Sequence, residues 1–182
     1  MARRTILTYP DPRLKAVAAD VANLDGRIVE LCNDMAETMY AAPGIGLAAT
    51  QVGEPMRIIV LDVHEKEEGP GKHLIKLVNP VIAEREGQVV FEEGCLSVPD
   101  FTADVTRAEK ILLRAWTPDE KEIAIEAEGL LAVALQHELD HLDGKLFIDR
   151  LSRLKRDLYR ARQRKLDRQG RPASSGRTTH II

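Results

Sequence analysis

The residues best suited to chemistry lie in one short stretch, QHELDHLDG, at positions 136–144. Within it, the motif HELDH has His137 and His141 four residues apart, with Glu138 directly after the first histidine. On a helix, residues four apart lie on one face, so both imidazoles can bind one metal ion. A divalent ion lowers the pKa of a bound water towards neutrality, and a neighbouring carboxylate can accept the proton. The pattern is therefore typical of metal-assisted hydrolysis.

A metal centre of this kind normally takes a third protein ligand. The longer pattern HExxHxxGxxH would supply a histidine six residues after the second, but Phe147 occupies that position. A glutamate from a downstream helix is another common source, yet no glutamate follows Glu138 in this chain. The third ligand is therefore expected upstream, where Cys95 in EEGCLSVP is the candidate. Spacing alone leaves a buried, unreactive thiol as the alternative for this residue.

Both helices and β-strands are needed to position these side chains. Apolar residues at helical spacing predict a helix over about residues 26–41, in which Cys32 is interpreted as a small buried hydrophobe. From about Glu128 a densely apolar helix carries HELDH, and a final amphipathic helix is predicted to dock on the body through Leu151, Leu154 and Leu158. Short β segments are predicted at RIIVLD, LIKLVNP, QVVFEE, KILLRAW and KEIAIEAE.

These elements predict an α+β fold. It is expected to be a single compact domain, with short antiparallel or mixed β segments around a buried central metal-binding helix and a helix at the C-terminus. We expect a body over residues 1–151, a basic helix over 152–170 packed on it, and a flexible tail over 171–182. The loop histidines His64 and His73 are interpreted as solvated.

Composition indicates an ordinary soluble protein, since 44% of the 182 residues are hydrophobic and 30% are charged. The opening stretch MARRTILTYPDPRLK has too short an apolar run for a signal peptide or a membrane span, so the cytoplasm is the expected compartment. The net charge of -3 is unevenly distributed. Residues 1–149 hold 15 Lys and Arg against 27 Asp and Glu, whereas residues 150–182 hold 11 against 2.

Three separated stretches together resemble the peptide deformylase family: GIGLAATQVG at 44–53, EEGCLSVP at 92–99 and QHELDHLDG at 136–144. The flanks YPDPRLK and DRLS also look similar to that family, so the resemblance extends through about residue 151. It implies that Cys95, His137 and His141 bind one divalent metal ion. In this family the ion is characteristically Fe2+, and Zn2+, Ni2+ or Co2+ can replace it.

The resemblance also implies roles for other residues. Glu138 matches the acid/base of the family, and Gln51 with the backbone N–H of Leu96 matches the groups that stabilise the developing oxyanion. Ile45 and Gly46 match positions that pair with the substrate backbone as an added strand. A pocket for the methionine side chain is expected from Ile45, Leu130, Val133 and the faces of His137 and Glu93.

The implied activity is hydrolysis of the formyl group from the N-terminal formylmethionine of nascent polypeptides, with release of formate. Glu93 and Arg107 are candidates for a supporting ion pair or for an ordinary surface pair, and Asp140 for orienting a ligand or for a satisfied helix position. The basic C-terminal helix is interpreted either as a solvated face or as a surface that docks on the ribosome, as family members do; no membrane or DNA partner is expected. The alternative functions are an HExxH metallopeptidase and a metal-dependent ribosome or RNA adaptor.

Overall fold

The computed structural model describes residues 2–63 and 69–168, so His64 and the predicted tail at 171–182 lie outside the described residues. In chain order the strands are β1 (Gly46–Ala48), β2 (Ile58–Asp62), β3 (Leu74–Glu86), β4 (Val89–Cys95), β5 (Val98–Arg107), β6 (Lys110–Trp116) and β7 (Glu122–Glu128). The α-helices are α1 (Gly26–Ala41), α2 (Gly129–Leu142) and α3 (Arg153–Arg168). The predicted α+β class is confirmed.

Five strands form an antiparallel sheet in the order β1-β2-β3-β6-β7. Strand β2 is buried along its whole length, which explains why IIVLD is a continuous apolar run rather than an alternating one. Strand β3 extends six residues beyond its predicted end at Pro80, because register shifts after Val78 and Ile82 let it bend and continue along β6. Among the described residues β1 pairs with β2 alone, so its other edge has no strand partner there.

Strands β4 and β5 form a separate antiparallel hairpin. Its inner face packs into an apolar cluster that includes Cys95, Val98 and Val105 from the hairpin, with Leu146 and Phe147 from the segment after α2. Strand β5 was not predicted, because PDFTADVTR is rich in residues that are depleted in strands. It forms because its register against β4 fixes the strand through pairing rather than through local preference.

Helix α1 has the predicted bounds, with Asp25 capping its first turn by accepting a hydrogen bond from the Arg27 amide at 2.9 Å. Its buried side, which includes Met35, Met39 and the fully buried Cys32, covers the sheet. Helix α2 is buried from Ala132 to Leu142, as its dense apolar content predicts. It lies against β1, β2, β6 and β7, and is therefore the central element of the fold.

The predicted docking residues of α3 are confirmed for Leu151 and wrong for Leu154 and Leu158. The side chain of Leu151 is buried just before the helix, but Leu154 and Leu158 are 70% and 63% exposed. Contact with the body is made instead by Tyr159, which is 2% exposed and packs against Tyr9 and Phe101 at ring-centroid distances of 5.6 and 4.6 Å. No described helix is both long and apolar enough to cross a membrane.

Candidate metal centre

The three predicted ligands come together. His137 and His141 lie on successive turns of α2, each 1% exposed, with ring centroids 5.0 Å apart. Cys95 ends β4, and its Sγ lies 3.2 Å from Nε2 of His141. One candidate ligand atom from each of the three residues lies within 4.8 Å of the other two. The separate hairpin therefore brings the thiol to the helix that carries both imidazoles.

Unpartnered polar atoms indicate that this cluster is a metal site. Nε2 of His137, Nδ1 of His141 and both carboxylate oxygens of Glu138 are buried and have no hydrogen-bond partner among the described residues. Leaving a buried polar atom unsatisfied costs about 1–3 kcal/mol, so several at one point need an explanation. A sulfur and two imidazole nitrogens suit zinc, iron and similar ions, and the donor set fits one such ion.

His137 is oriented by Glu93. Nδ1 of His137 donates to Oε2 of Glu93 at 2.8 Å, which leaves Nε2 for a metal. Burial favours the neutral form of Glu93, but hydrogen bonds from Arg107 and His137 outweigh burial and hold its pKa below the usual value. Arg107 donates to both oxygens of Glu93, at 2.6 and 2.8 Å, and the pair is almost completely buried. It is therefore a supporting ion pair and not a surface pair.

Asp140 extends this network away from the metal ligands. Its Oδ2 accepts from Nη1 of Arg107 at 2.5 Å, and its Oδ1 accepts from Nη2 of Arg150 at 2.6 Å. Burial alone would raise the pKa of Asp140, yet the two guanidinium groups lower it below the usual value. The side chain does not bond either ligand histidine; it holds the arginine that holds Glu93.

Gln51 lies in the short helical turn Ala49–Val52, and three contacts fix its side chain. Its Oε1 accepts from the Ala48 amide at 2.8 Å, while Nε2 donates to Oγ of Ser97 at 3.1 Å and lies 3.7 Å from Sγ of Cys95. The Gln51 amide is therefore held in one orientation, with its N–H groups beside the ligand cluster. Sequence reasoning missed Ser97, whose amide also lies 3.4 Å from Sγ of Cys95.

Charge is disfavoured in this enclosed site. Burial raises the pKa of Glu138 well above its usual value, and the nearby charge of Glu93 raises it further. Burial, followed by the charge of Glu138, raises the pKa of the Cys95 thiol. Burial lowers the pKa of His141 well below its usual value, so its imidazole is neutral, as metal binding requires. A divalent cation is the partner that would stabilise a thiolate and a carboxylate here.

Strand β1 passes directly over Glu138. A Cβ atom at Gly46 would lie 2.5 Å from Oε1 of Glu138, so this position accepts no side chain without movement of that carboxylate. A Cβ at Gly44 would lie 2.8 Å from Cδ1 of Leu96, which shows how closely the turn after Cys95 approaches the entry to β1. Close packing around the site therefore leaves little room for a side chain at either glycine of GIG.

A family model described as polypeptide deformylase matches residues 3–157. The chain belongs to the polypeptide deformylase family. It is 54% identical over 178 residues to the peptide deformylase of Alkalilimnicola ehrlichii, covering 98% of both chains. It is 55% identical over 177 residues to that of Xylella fastidiosa strain M12, covering 96% of this chain and all of the relative.

Solved deformylase structures agree with the fold. The crystal structure of the Legionella pneumophila deformylase superposes with a TM-score of 0.86 at 46% identity, covering 94% of this chain and 99% of that one. The Ehrlichia chaffeensis deformylase, crystallised with actinonin, superposes with a TM-score of 0.85 at 39% identity, covering 92% and 99%. The chain is therefore a hydrolytic enzyme with a site for one metal ion.

The predicted substrate residues of this deformylase differ in their surroundings. Val133 is fully buried in the core beneath the sheet, and Ile45 packs against the same cluster while remaining partly exposed. Leu130, in the first turn of α2, and Leu96 are also partly exposed. Both oxygens of Glu93 are engaged by Arg107 and His137, and its side chain is completely buried.

Proposed function

We propose that this deformylase removes the formyl group from N-formylmethionine at the start of newly made polypeptides and releases formate. The observation that carries the proposal is the convergence of three functions at one buried point. These are the ligand cluster, the unpartnered carboxylate of Glu138, and the fixed amide of Gln51, whose Nε2 lies 3.7 Å from Sγ of Cys95. Hydrolysis of a small amide needs a metal, a proton carrier and an oxyanion donor together.

Each proposed catalytic residue has a defined role in the reaction. When bound, the metal supplies a Lewis acid that polarises the formyl oxygen and lowers the pKa of water. A carboxylate oxygen of Glu138 accepts the proton from the attacking water and returns it to the leaving amine. Nε2 of Gln51 and the Leu96 amide donate to the oxygen that becomes negative. Ala48 and Ser97 fix the Gln51 amide before the substrate arrives, so no reorientation is needed.

The unpaired edge of β1 is the proposed binding site for the substrate backbone. The substrate backbone would pair with Ile45 and Gly46 in an extended conformation, and its methionine side chain would enter the pocket formed by Ile45, Leu130, Val133 and the faces of His137 and Glu93. An unpaired strand edge offers N–H and C=O groups in the spacing that an extended peptide needs. We assign Fe2+ as the physiological metal, with Zn2+, Ni2+ or Co2+ as substitutes.

A formate-release assay tests the reaction. Purified enzyme, prepared without oxygen and analysed for metal, is given formyl-Met peptides, the same peptides with a free amine, and peptides with an internal methionine. We expect formate from the first alone. Glu138→Ala should lower kcat by about 10²–10⁴-fold, the range for general acid–base catalysis, while one metal ion per chain is retained. Full activity in this variant would refute the proposed role, and peptide-bond cleavage would favour a metallopeptidase.

We propose further that the exposed side of α3 docks on ribosomal RNA, which would also keep the enzyme in the cytoplasm, where nascent chains emerge. Residues 150–171 contain ten Lys and Arg against two Asp, and the side chain of Arg153 is 91% exposed. Leu154 and Leu158 lie exposed on the same helix. Basic side chains on phosphates would make this binding fall as salt rises.

Truncation before α3 would be a poor test, because it removes the buried Tyr159. Charge reversal at exposed positions is cleaner: Arg153→Glu, Lys155→Glu and Arg160→Glu together should weaken cosedimentation with ribosomes at low salt and flatten its salt dependence. The matched control applies the same charge change to the sheet, at Arg85, Lys110 and Arg114. Equal loss in both triple variants would contradict a specific role for α3.

A further inference from the structure

A chain of alternating charges runs from the ligand His137 to the protein surface. His137 donates to Glu93, Glu93 accepts from Arg107, Arg107 donates to Asp140, and Asp140 accepts from Arg150. The first members are buried, whereas the side chain of Arg150 is 41% exposed. Arg150 thus forms the outer end of a network whose inner end orients a metal ligand.

Arg150 grips Asp140 with two hydrogen bonds. Its Nε donates to Oδ2 and its Nη2 to Oδ1, the bidentate geometry in which a guanidinium fixes the plane of a carboxylate. Oδ2 of Asp140 is shared with Nη1 of Arg107. Without Arg150, Asp140 would keep Arg107 as its only cationic partner among the described residues and would attract it more strongly. That attraction competes with Glu93, whose two bonds from Arg107 aim it at His137.

The turn that contains Arg150 also contacts His137 directly, through a ring contact that is independent of the ion pairs. Phe147 begins the short helical turn Phe147–Arg150, and its ring stacks on the His137 imidazole at a centroid distance of 6.1 Å and an interplanar angle of 27°. One four-residue turn therefore contacts the ring face of His137 directly and its Nδ1 side through the ion chain. This convergence on one ligand does not depend on the charges alone.

We propose that Arg150 is a positioning residue for the metal centre, acting through Asp140, Arg107 and Glu93 on the orientation of His137. The inference rests on the proposed function, since it concerns the same metal site. Its main readout is metal release, which requires no substrate, so its failure can be distinguished from failure of the deformylation proposal.

The test compares Arg150→Met, which removes charge and fork, with Arg150→Lys, which keeps the charge but donates from a single point. Release of Zn2+ to a chelator should be about tenfold faster in the Met variant, within the range for residues that support metal ligands. The Lys variant should remain faster than the unaltered enzyme. In Co2+-loaded protein the visible absorption bands should shift, and kcat should fall while KM stays the same. Arg114→Met, an exposed change on β6, is the control.

Three results would overturn the proposal. Release rates and cobalt spectra equal to those of the unaltered enzyme in both variants would mean that the network ends at Asp140. Full recovery of both readouts by Arg150→Lys would mean that charge alone matters and that the fork positions nothing. Reduced stability of the metal-free Met variant, with an unchanged cobalt spectrum, would likewise mean that Arg150 stabilises the fold but does not position the metal ligand.

Discussion

Gly46 is the residue whose identity is most tightly bound to the chemistry, because the space that a side chain would need is filled by Glu138. An added methyl group would meet Oε1 at 2.5 Å, and the Glu138 side chain is completely buried. On the side facing β1, the Glu138 carboxylate is therefore confined by the backbone of Gly46. The motif GIG and the motif HELDH, more than 90 residues apart, constrain each other through this contact.

We predict that Gly46→Ala lowers kcat by about 10²-fold, because a displacement of about 1 Å of a catalytic group has that effect. Metal content should not change, since the three atoms nearest to a Cβ at Gly46 all belong to Glu138, which is not one of the cluster's ligands. Formate release and metal analysis on the same sample measure both. Gly26→Ala is the matched control, because nothing lies within 4 Å of a Cβ there. Unchanged turnover in Gly46→Ala would show that Glu138 can shift without loss.

At this scale the sequence predicted the ligand cluster, but not from spacing alone. His137 and His141 followed from helical geometry, whereas Cys95 required the resemblance, because the fold and not the chain order brings β4 to α2. Ser97 and Arg150 could not have been found in this way. Their roles depend on where two side-chain groups meet in space, and neither residue type is unusual in its local stretch.

Helix α3 shows why an element's outer face is harder to predict than its existence. Its amphipathic spacing predicted a helix, and the helix is present over Arg153–Arg168. The leucines favoured one docking side, but the partner surface consists of Tyr9 and Phe101, which are distant in sequence and receive Tyr159. An aromatic ring buries more surface than a leucine and can stack on those two rings. The contact is therefore decided by residues outside the helix.

We predict that Tyr159→Ala lowers the free energy of unfolding of the metal-loaded enzyme by about 3 kcal/mol, as expected for truncating a buried aromatic side chain. Its neighbour provides the control: Leu158→Ala should change that free energy by less than about 0.5 kcal/mol, because Leu158 is 63% exposed. Urea unfolding of both variants measures the difference. Equal effects would mean that α3 does not use the described contact in solution.

Across the whole molecule, the metal site joins two separately built units. Cys95 belongs to the hairpin β4–β5, and the two histidines belong to α2, which packs on the five-stranded sheet. The sequence predicted the sheet strands β2, β6 and β7 because their apolar patterns are strong. It did not predict the division into sheet and hairpin, since strand pairing is long-range information that local pattern does not contain.

Metal removal should therefore loosen the hairpin more than the sheet. We predict that chelation increases hydrogen exchange of the paired β4–β5 amides at least about tenfold, with a smaller change in β2, because a ligand that binds only the folded state stabilises the units it joins. Exchange measured by mass spectrometry before and after chelation, and after metal is restored, gives the comparison. Uniform acceleration in hairpin and sheet would contradict the linking role.

The unpaired edge of β1 also limits when a nascent chain can be deformylated under the proposed function. The strand is only three residues long, so it can pair with a single extended chain segment but not with the edge of a finished sheet. A formylated terminus that has already entered its own protein's secondary structure cannot supply that segment. Under the proposed function, deformylation therefore competes with folding of the product, and nascent proteins whose first residues become ordered early have the shortest interval in which to lose the formyl group.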